Sequence, residues 1–155
     1  MEKKERHYKQ GFFKPEYPEK YIGDPTNIVY RSGWERKFMD YLDHNRSVVR
    51  WGSEEVVIPY ISPVDNRPHR YFVDFYVEAT APDGSIKKML VEIKPYAQTQ
   101  EPKTPKRKTR RFITEVMTYG VNQAKWHAAK DYCEKKGWDF KILTENEIFA
   151  GKKSK

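Results

Sequence analysis

The chain has 155 residues, a formal net charge of +8 and a pI near 9.4. That length suits one domain with its own hydrophobic core, and an aromatic content of 15% argues against disorder. Mean hydropathy is −0.96, and no apolar run approaches the roughly 20 residues of a bilayer span, which excludes a membrane-spanning reading.

The segment Met1 to Gln10 is charged and lacks an apolar core, so a secretory signal is not expected. One cysteine, Cys133, allows no internal disulfide and points to a reducing compartment. Four scattered histidines give a Cys/His zinc site almost no support. A domain this basic most often meets a polyanion, with nucleic acid the leading candidate. An acidic protein partner and simple solubility are the other readings.

In chain order, residues 1–27 mix charges, three prolines and aromatics without a period. They read as an extended arm pinned at Phe12, Phe13, Tyr17 and Tyr21. The domain proper covers 28–150, and 151–155 form a basic tail. Ser32-Gly33-Trp34-Glu35 signals a helix start, with Trp34, Phe38, Tyr41 and Leu42 as its apolar face. Val48 to Trp51 and Val56 to Ile61 read as strands, and Pro59 suggests an edge or a bulge. Tyr71 to Ala79 and Ile86 to Ile93 flank Ala81-Pro82-Asp83-Gly84, the clearest hairpin.

Residues 95–111 form a basic loop. Phe112 to Lys136 follows as a long helix, packing through Ile113, Val116, Met117, Gly120, Ala124, Ala128 and Tyr132 until Gly137 stops it. A last strand runs Trp138 to Leu143, and Thr144-Glu145-Asn146-Glu147 caps a short terminal helix. This order predicts a single domain of α/β or α+β class with one mixed sheet.

The sharpest constellation is Asp74, in the apolar strand Tyr71 to Tyr76, with Glu92-Ile93-Lys94 on the next strand. A carboxylate among apolar residues is costly unless it is paired, hydrogen-bonded or metal-bound. Alternation puts Glu92 and Lys94 on one face, about 6.6 Å of rise apart, where both can meet Asp74 across the hairpin. Asp74 and Glu92, with the neighbouring backbone carbonyl of Ile93, would make a hard oxygen site suited to Mg²⁺. Lys94 could then orient a water or stabilise negative charge on phosphorus. The bland alternative is a surface pair of Lys94 with Asp74 or Glu92. Pro95 favours the site, because it ends the strand and leaves Lys94 at a sheet end.

Glu35 has two readings. Ser32-x-x-Glu35 fits a capping box closing on the Ser32 backbone, and a helix N-terminus could also deliver Glu35 as a third carboxylate. In the basic segment Lys94, Lys103, Lys106, Arg107, Lys108, Arg110 and Arg111 face a single acid, Glu101. Such a loop would neutralise phosphates and bind DNA in a salt-dependent way, or be a solvated run or protein-docking tail. Asn122 and Lys125, three apart on the long helix, are either further DNA contacts or part of a plain exposed face.

Glu35, then Asp74, then Glu92-x-Lys94 resembles the PD-(D/E)xK nuclease superfamily. The longer text is more specific: Gly23-Asp24-Pro25-Thr26, Tyr30-Arg31-Ser32-Gly33-Trp34-Glu35, Trp51 with Ser53-Glu54-Glu55, Arg70-Tyr71 with Asp74-Phe75, and Glu92-Ile93-Lys94-Pro95-Tyr96. Together these look like the head completion nucleases of T4-like tailed phages and, more distantly, the TnsA-type transposon endonucleases. The resemblance runs from about Tyr17 to the C-terminal helix.

It implies an α/β single domain with a restriction-endonuclease-like mixed central sheet flanked by helices, and a Mg²⁺-dependent endonuclease of double-stranded DNA, with Mn²⁺ as a substitute. It also implies a small virion component that acts when packaged heads are finished for tail attachment. Head, portal or neck proteins would then be partners, and the protein would reside in the virion and, during assembly, in the host cytoplasm. By position, Asp74 and Glu92 would bind metal, Lys94 would be the catalytic lysine, and Glu35 the helix carboxylate. Val73 stands where the superfamily pattern has proline. The rival is a structural head–tail or DNA-binding protein with a nuclease fold and no required catalysis.

Overall fold

A computed structural model of the chain describes residues 10–149, so the start of the arm (1–9) and the expected basic tail (151–155) lie outside the described residues. Strand β1 (Gly11–Phe12) pairs antiparallel with β2 (Val29–Tyr30), and a 3-10 turn, Pro18–Lys20, lies between them. Helix α1 (Gly33–His44) starts at Ser32, whose Oγ accepts from the Glu35 N–H at 3.1 Å. Its inner face is Phe38, Met39, Leu42 and Asp43. Tyr41, expected inside, is 55% exposed and stacks on the outer side of Phe38, whose other contact is the ring of Phe75.

Buried Asp43 ties the arm to this helix by accepting from the Glu16 N–H (2.7 Å) and the Tyr17 N–H (3.2 Å). Lys20 Nζ donates to the carbonyls of Leu42 (2.8 Å), Asp43 (2.8 Å) and Asn45 (3.0 Å) at the helix end, the last of which also accepts from the Val48 N–H at 3.1 Å. A cation there also complements the negative end of the helix dipole. Lys20→Met keeps the stem and loses the charge. It is expected to cost about 2 kcal/mol, read as a fall of roughly 4–8 °C in melting temperature. An unchanged melting temperature would show that water replaces the ammonium at no cost.

After β3 (Val48–Ser53) the chain makes a separate antiparallel hairpin, β4 (Val57–Ile61) with β5 (Pro68–Phe72). It then enters β6 (Phe75–Thr80), turns at Gly84 with φ +89°, and returns as β7 (Ile86–Ile93). The expected single strand from Tyr71 to Ala79 is therefore two strands. Val73 N–H still donates to Val56 C=O (3.1 Å), while Asp74 C=O accepts from Glu54 N–H (3.1 Å). The chain changes partners between these two residues, and Asp74 sits at the seam.

Helix α2 (Arg110–Lys136) follows, then β8 (Asp139–Leu143) and α3 (Glu145–Ile148). The central sheet has the order β3-β6-β7-β8, antiparallel except for the parallel β7–β8 pair. A parallel neighbour requires a long crossover, which α2 supplies. Alternation sends Phe75, Val77, Val91 and Ile93 into the core under α1, and Tyr76 and Leu90 into the core under α2. The architecture is a mixed α/β single domain with the sheet between helices.

The packing side of α2 matches the expected one only in its second half, where Ala128 and Tyr132 pack against the core. Its buried residues are Asn122, Trp126, Ala129 and Cys133. Ile113, Val116 and Met117 are 53%, 43% and 46% exposed. A helix of 27 residues spans about 40 Å, far more than the roughly 17 Å of five-residue β8. Only its second half can cover the sheet.

Candidate active site

Strand register assembles the site. Phe75 faces Val91 across β6–β7, so one further step brings Asp74 opposite Glu92. Asp74 Oδ2 accepts from the Ile93 N–H at 2.9 Å. Glu92, only 5% exposed, takes a hydrogen bond from the Tyr71 hydroxyl on Oε1 at 2.5 Å. Its Oε2 is 3.9 Å from Lys94 Nζ. Lys94 lies just past the end of β7, where its N–H donates to the Leu143 carbonyl at 3.0 Å. The structure thus gathers Asp74, Glu92, Ile93 and Lys94, and the Glu92–Lys94 contact has its carboxylate inside the protein.

The electrostatics follow from that burial. Asp74 is held well above the usual carboxylate range by burial first and then by the charge of Glu92, with a smaller push from Glu35. The Ile93 N–H and Lys94 act against this shift. Glu92 is also raised by burial, against the Tyr71 hydrogen bond and the charges of Lys94 and Lys125. Burial and the Glu92 charge push the Tyr71 phenol far up, so it remains a donor. Two carboxylates are forced together with insufficient positive charge around them.

Glu35 combines features of both of its readings. Its N–H donates to Oγ of the N-cap Ser32, but its carboxylate accepts from the Arg31 N–H at 2.9 Å rather than closing the box on Ser32. Burial raises Glu35, the charge of Glu54 adds to this, and Lys94 lies within electrostatic reach of it. The Arg31 guanidinium grips Glu54 through Nε (3.1 Å) and Nη2 (3.3 Å). Glu54 has φ +57°, a left-handed backbone uncommon outside glycine. Sequence reasoning gives Arg31, Glu54 and Tyr71 no role, although all three stand in the motif text; adjacent acids after a strand are the only local hint.

The comparisons with known proteins bear on this geometry. Residues 45–145 match the model of the TnsA-like endonuclease N-terminal domain. The chain belongs to the TnsA-like endonucleases. It is 41% identical over 144 residues to the head completion nuclease of Enterobacteria phage T4, covering 90% of this chain and 93% of that protein. It is an endonuclease of the kind involved in phage head completion. Its family is typically metal-dependent, and a nuclease of this kind acts on DNA. Among the described residues no helix is long and apolar enough to cross a membrane.

The basic segment of this TnsA-like endonuclease is shorter as a loop than expected. Tyr96–Thr99 is a 3-10 turn, and Thr109 caps α2 by accepting from the Phe112 N–H at 3.1 Å. Arg110 and Arg111 therefore stand in the first helical turn, where cations oppose the helix dipole. Helix stability does not explain them. Lys103, Lys106, Arg107, Lys108, Arg110 and Arg111 are all exposed, and Arg111 pairs with Glu115 at 3.3 Å. None of these six is brought into contact with Asp74 or Glu92.

The two helix residues separate. Lys125 lies over the rings of Tyr71 (5.5 Å) and Tyr60 (5.9 Å), so its charge reaches Glu92. Asn122 is 5% exposed, so it is not part of a plain exposed face.

Among the described residues no three Asp, Glu, His or Cys side chains converge on one point. A divalent ion would therefore have Asp74 and Glu92 as its only side-chain ligands, with backbone oxygen and water completing its shell. Mg²⁺ is held in this way, through one or two carboxylates and several waters. Burial and then the Glu92 charge raise Asp74, and a cation bound between the two carboxylates would offset both, so the residues fit the group.

Proposed function

We propose that this endonuclease cuts double-stranded DNA with Mg²⁺, for which Mn²⁺ can substitute. Asp74, Glu92 and the Ile93 carbonyl hold the ion. The observation that carries this is the buried Asp74–Glu92 pair beside Lys94. A purely structural scaffold has no use for it, since a buried charge cluster is often replaced by apolar residues without loss of stability.

Bound Mg²⁺ supplies Lewis-acid polarisation of a phosphate oxygen and a more acidic water. The protein's own groups do the positioning. The Ile93 N–H fixes Asp74 Oδ2, and the Tyr71 hydroxyl fixes Glu92 Oε1. Asp74 and Glu92 would hold the ion through their carboxylates, with Lys94 Nζ 3.9 Å from Glu92 Oε2 and the Asp74 N–H also turned to Glu92. Lys94 offers its ammonium to the charge that builds on phosphorus during in-line attack. Glu35, raised by burial, is suited to hold or accept a proton at the site's edge.

The exposed cations at Lys103, Lys106, Arg107, Lys108, Arg110 and Arg111 track the phosphate backbone, and Lys125 lies on the side nearer the site. Kinship with the phage T4 head completion nuclease supports work in the virion, with head, portal or neck proteins as docking partners, and a stay in the host cytoplasm during assembly.

The test is nicking of supercoiled plasmid by purified protein. Nicking is expected with Mg²⁺ and none with EDTA, and intact plasmid under both conditions would overturn the proposal. Changing Lys106, Arg107 and Lys108 together to Ala should weaken duplex binding. The slope of log affinity against log salt should flatten by about 0.9 per lost phosphate contact. An unchanged slope would assign the segment to protein docking instead.

A further inference from the structure

We infer that the cavity between the 97–102 segment and the first half of α2 receives an unpaired nucleobase of the DNA substrate. This rests on the endonuclease reading above and names the form of DNA that it prefers. The cavity is about 420 Å³ and is lined by Gln98, Gln100, Thr114, Thr118, Tyr119 and Asn122. That volume lies within the range of small-molecule sites. Thr114, Thr118 and Asn122 recur at four-residue spacing, so one stripe of α2 forms the wall.

Asn122 is the pointer to a ligand. It is 5% exposed and lines the cavity, and its side-chain amide makes no hydrogen bond among the described residues. Its amide atoms are not sealed from solvent, since among the described residues only Trp51 Nε1 and Trp126 Nε1 are fully buried without a partner; its donor and acceptor face the cavity, where a ligand can replace water. An amide presents one donor and one acceptor side by side, the pattern that pairs with the edge of a base. Tyr119 adds an aromatic face of the kind on which unstacked bases rest.

Charge separates base from phosphate here. The one charged wall residue is Glu115, engaged by Arg111 at 3.3 Å, and no lysine or arginine lines the cavity, so it offers a phosphate no cation. The cations Lys103, Lys106, Arg107 and Lys108 begin directly after the wall residue Pro102 and are exposed outside it. Backbone outside and base inside is the arrangement these charges favour. Gln98 follows Lys94 by four residues, which a chain spans in at most about 14 Å. The pocket therefore lies within about four nucleotides of Lys94 at duplex rise. A base stacked in intact duplex cannot reach it, so the preferred substrate carries an unpaired end, gap or mismatch, where extrusion is cheapest.

The test compares a blunt duplex with the same duplex bearing a four-nucleotide unpaired extension, in EDTA, by fluorescence anisotropy. Wild-type protein is expected to bind the extended DNA at least fivefold more tightly. Asn122→Ala and, separately, the exposed-residue variant Gln98→Ala should bring that ratio towards one. As a readout independent of variant folding, 5-iododeoxyuridine in the extension should photocrosslink to Tyr119. Equal affinity of wild type for both DNAs would overturn the inference, as would an unchanged ratio in both variants or a crosslink that misses Tyr119. In each of those cases the proposed cleavage of duplex DNA stands, because plasmid nicking with Mg²⁺ tests it separately; wild type that binds neither DNA would also overturn the inference.

Discussion

Asp74→Asn is expected to abolish cleavage and, in metal-free protein, to raise the melting temperature. The two effects have one cause. Asp74 and Glu92 are buried together, and each charge makes the other harder to hold. Both folded-state pKa values lie above their unfolded values, so the native state binds protons that the unfolded chain releases. The stability this provides is full below the ordinary carboxylate range, at about pH 4. It is lost as pH rises through the raised native values. As pH climbs through those raised values, the metal-free native state takes on the repulsion.

Asparagine keeps an oxygen for the Ile93 N–H and removes the charge, so a rise of a few degrees is expected, with about 1 kcal/mol moving the melting temperature by roughly 2–4 °C. The wild type should also melt higher at pH 5 than at pH 7.5 without metal, and the mutant should show less of that dependence. Mg²⁺ should reverse the order. An ion at 100 times its dissociation constant adds about 2.7 kcal/mol to wild type, and it should add little to Asp74→Asn. Scanning calorimetry of both proteins with Mg²⁺ and with EDTA decides this. A wild type indifferent to millimolar Mg²⁺, together with a mutant that still cuts, would sink the metal site.

Lys94→Ala is expected to lower single-turnover cleavage by about 10²- to 10³-fold, the usual loss when one group that stabilises transition-state charge is removed. DNA affinity should change little, since six other cations of the segment between Lys94 and Arg111 remain. The split between rate and binding is the informative part. Lys94 lies 3.9 Å from Glu92 Oε2 and opposes the upward shift of both carboxylates. Its loss should also raise the pH above which residual cleavage appears. Near-wild-type cleavage by Lys94→Ala would remove it from the chemistry.

Some features were legible locally because neighbouring residues make them. Gly84 turns the β6–β7 hairpin with φ +89°, and Gly137 ends α2 with φ +74°. Thr144 and Glu147 close a capping box on themselves. In each case a few contiguous residues satisfy their own backbone groups, so the pattern survives any tertiary context. The convergence of Asp74 with Glu92 and Lys94 was legible almost as directly, since two strands and one tight turn determine the register.

The amino-acid order by itself therefore determined the helix–strand order, the hairpin, the helix stops and the meeting of two acids with a lysine. Only the tertiary structure decided that Asp74 stands at a seam between two sheets, because the switch of partner from Val56 to Glu54 joins distant segments. The same holds for the Glu35 carboxylate on the Arg31 N–H, the Tyr71 hydroxyl on Glu92, and the bidentate hold of Arg31 on Glu54. It holds also for α2, whose apolar Ile113, Val116 and Met117 lie outside while Asn122 is buried. Periodicity shows which residues share a helix face. It cannot show how far the sheet extends beneath that face, and burial depends on where the neighbouring layer ends.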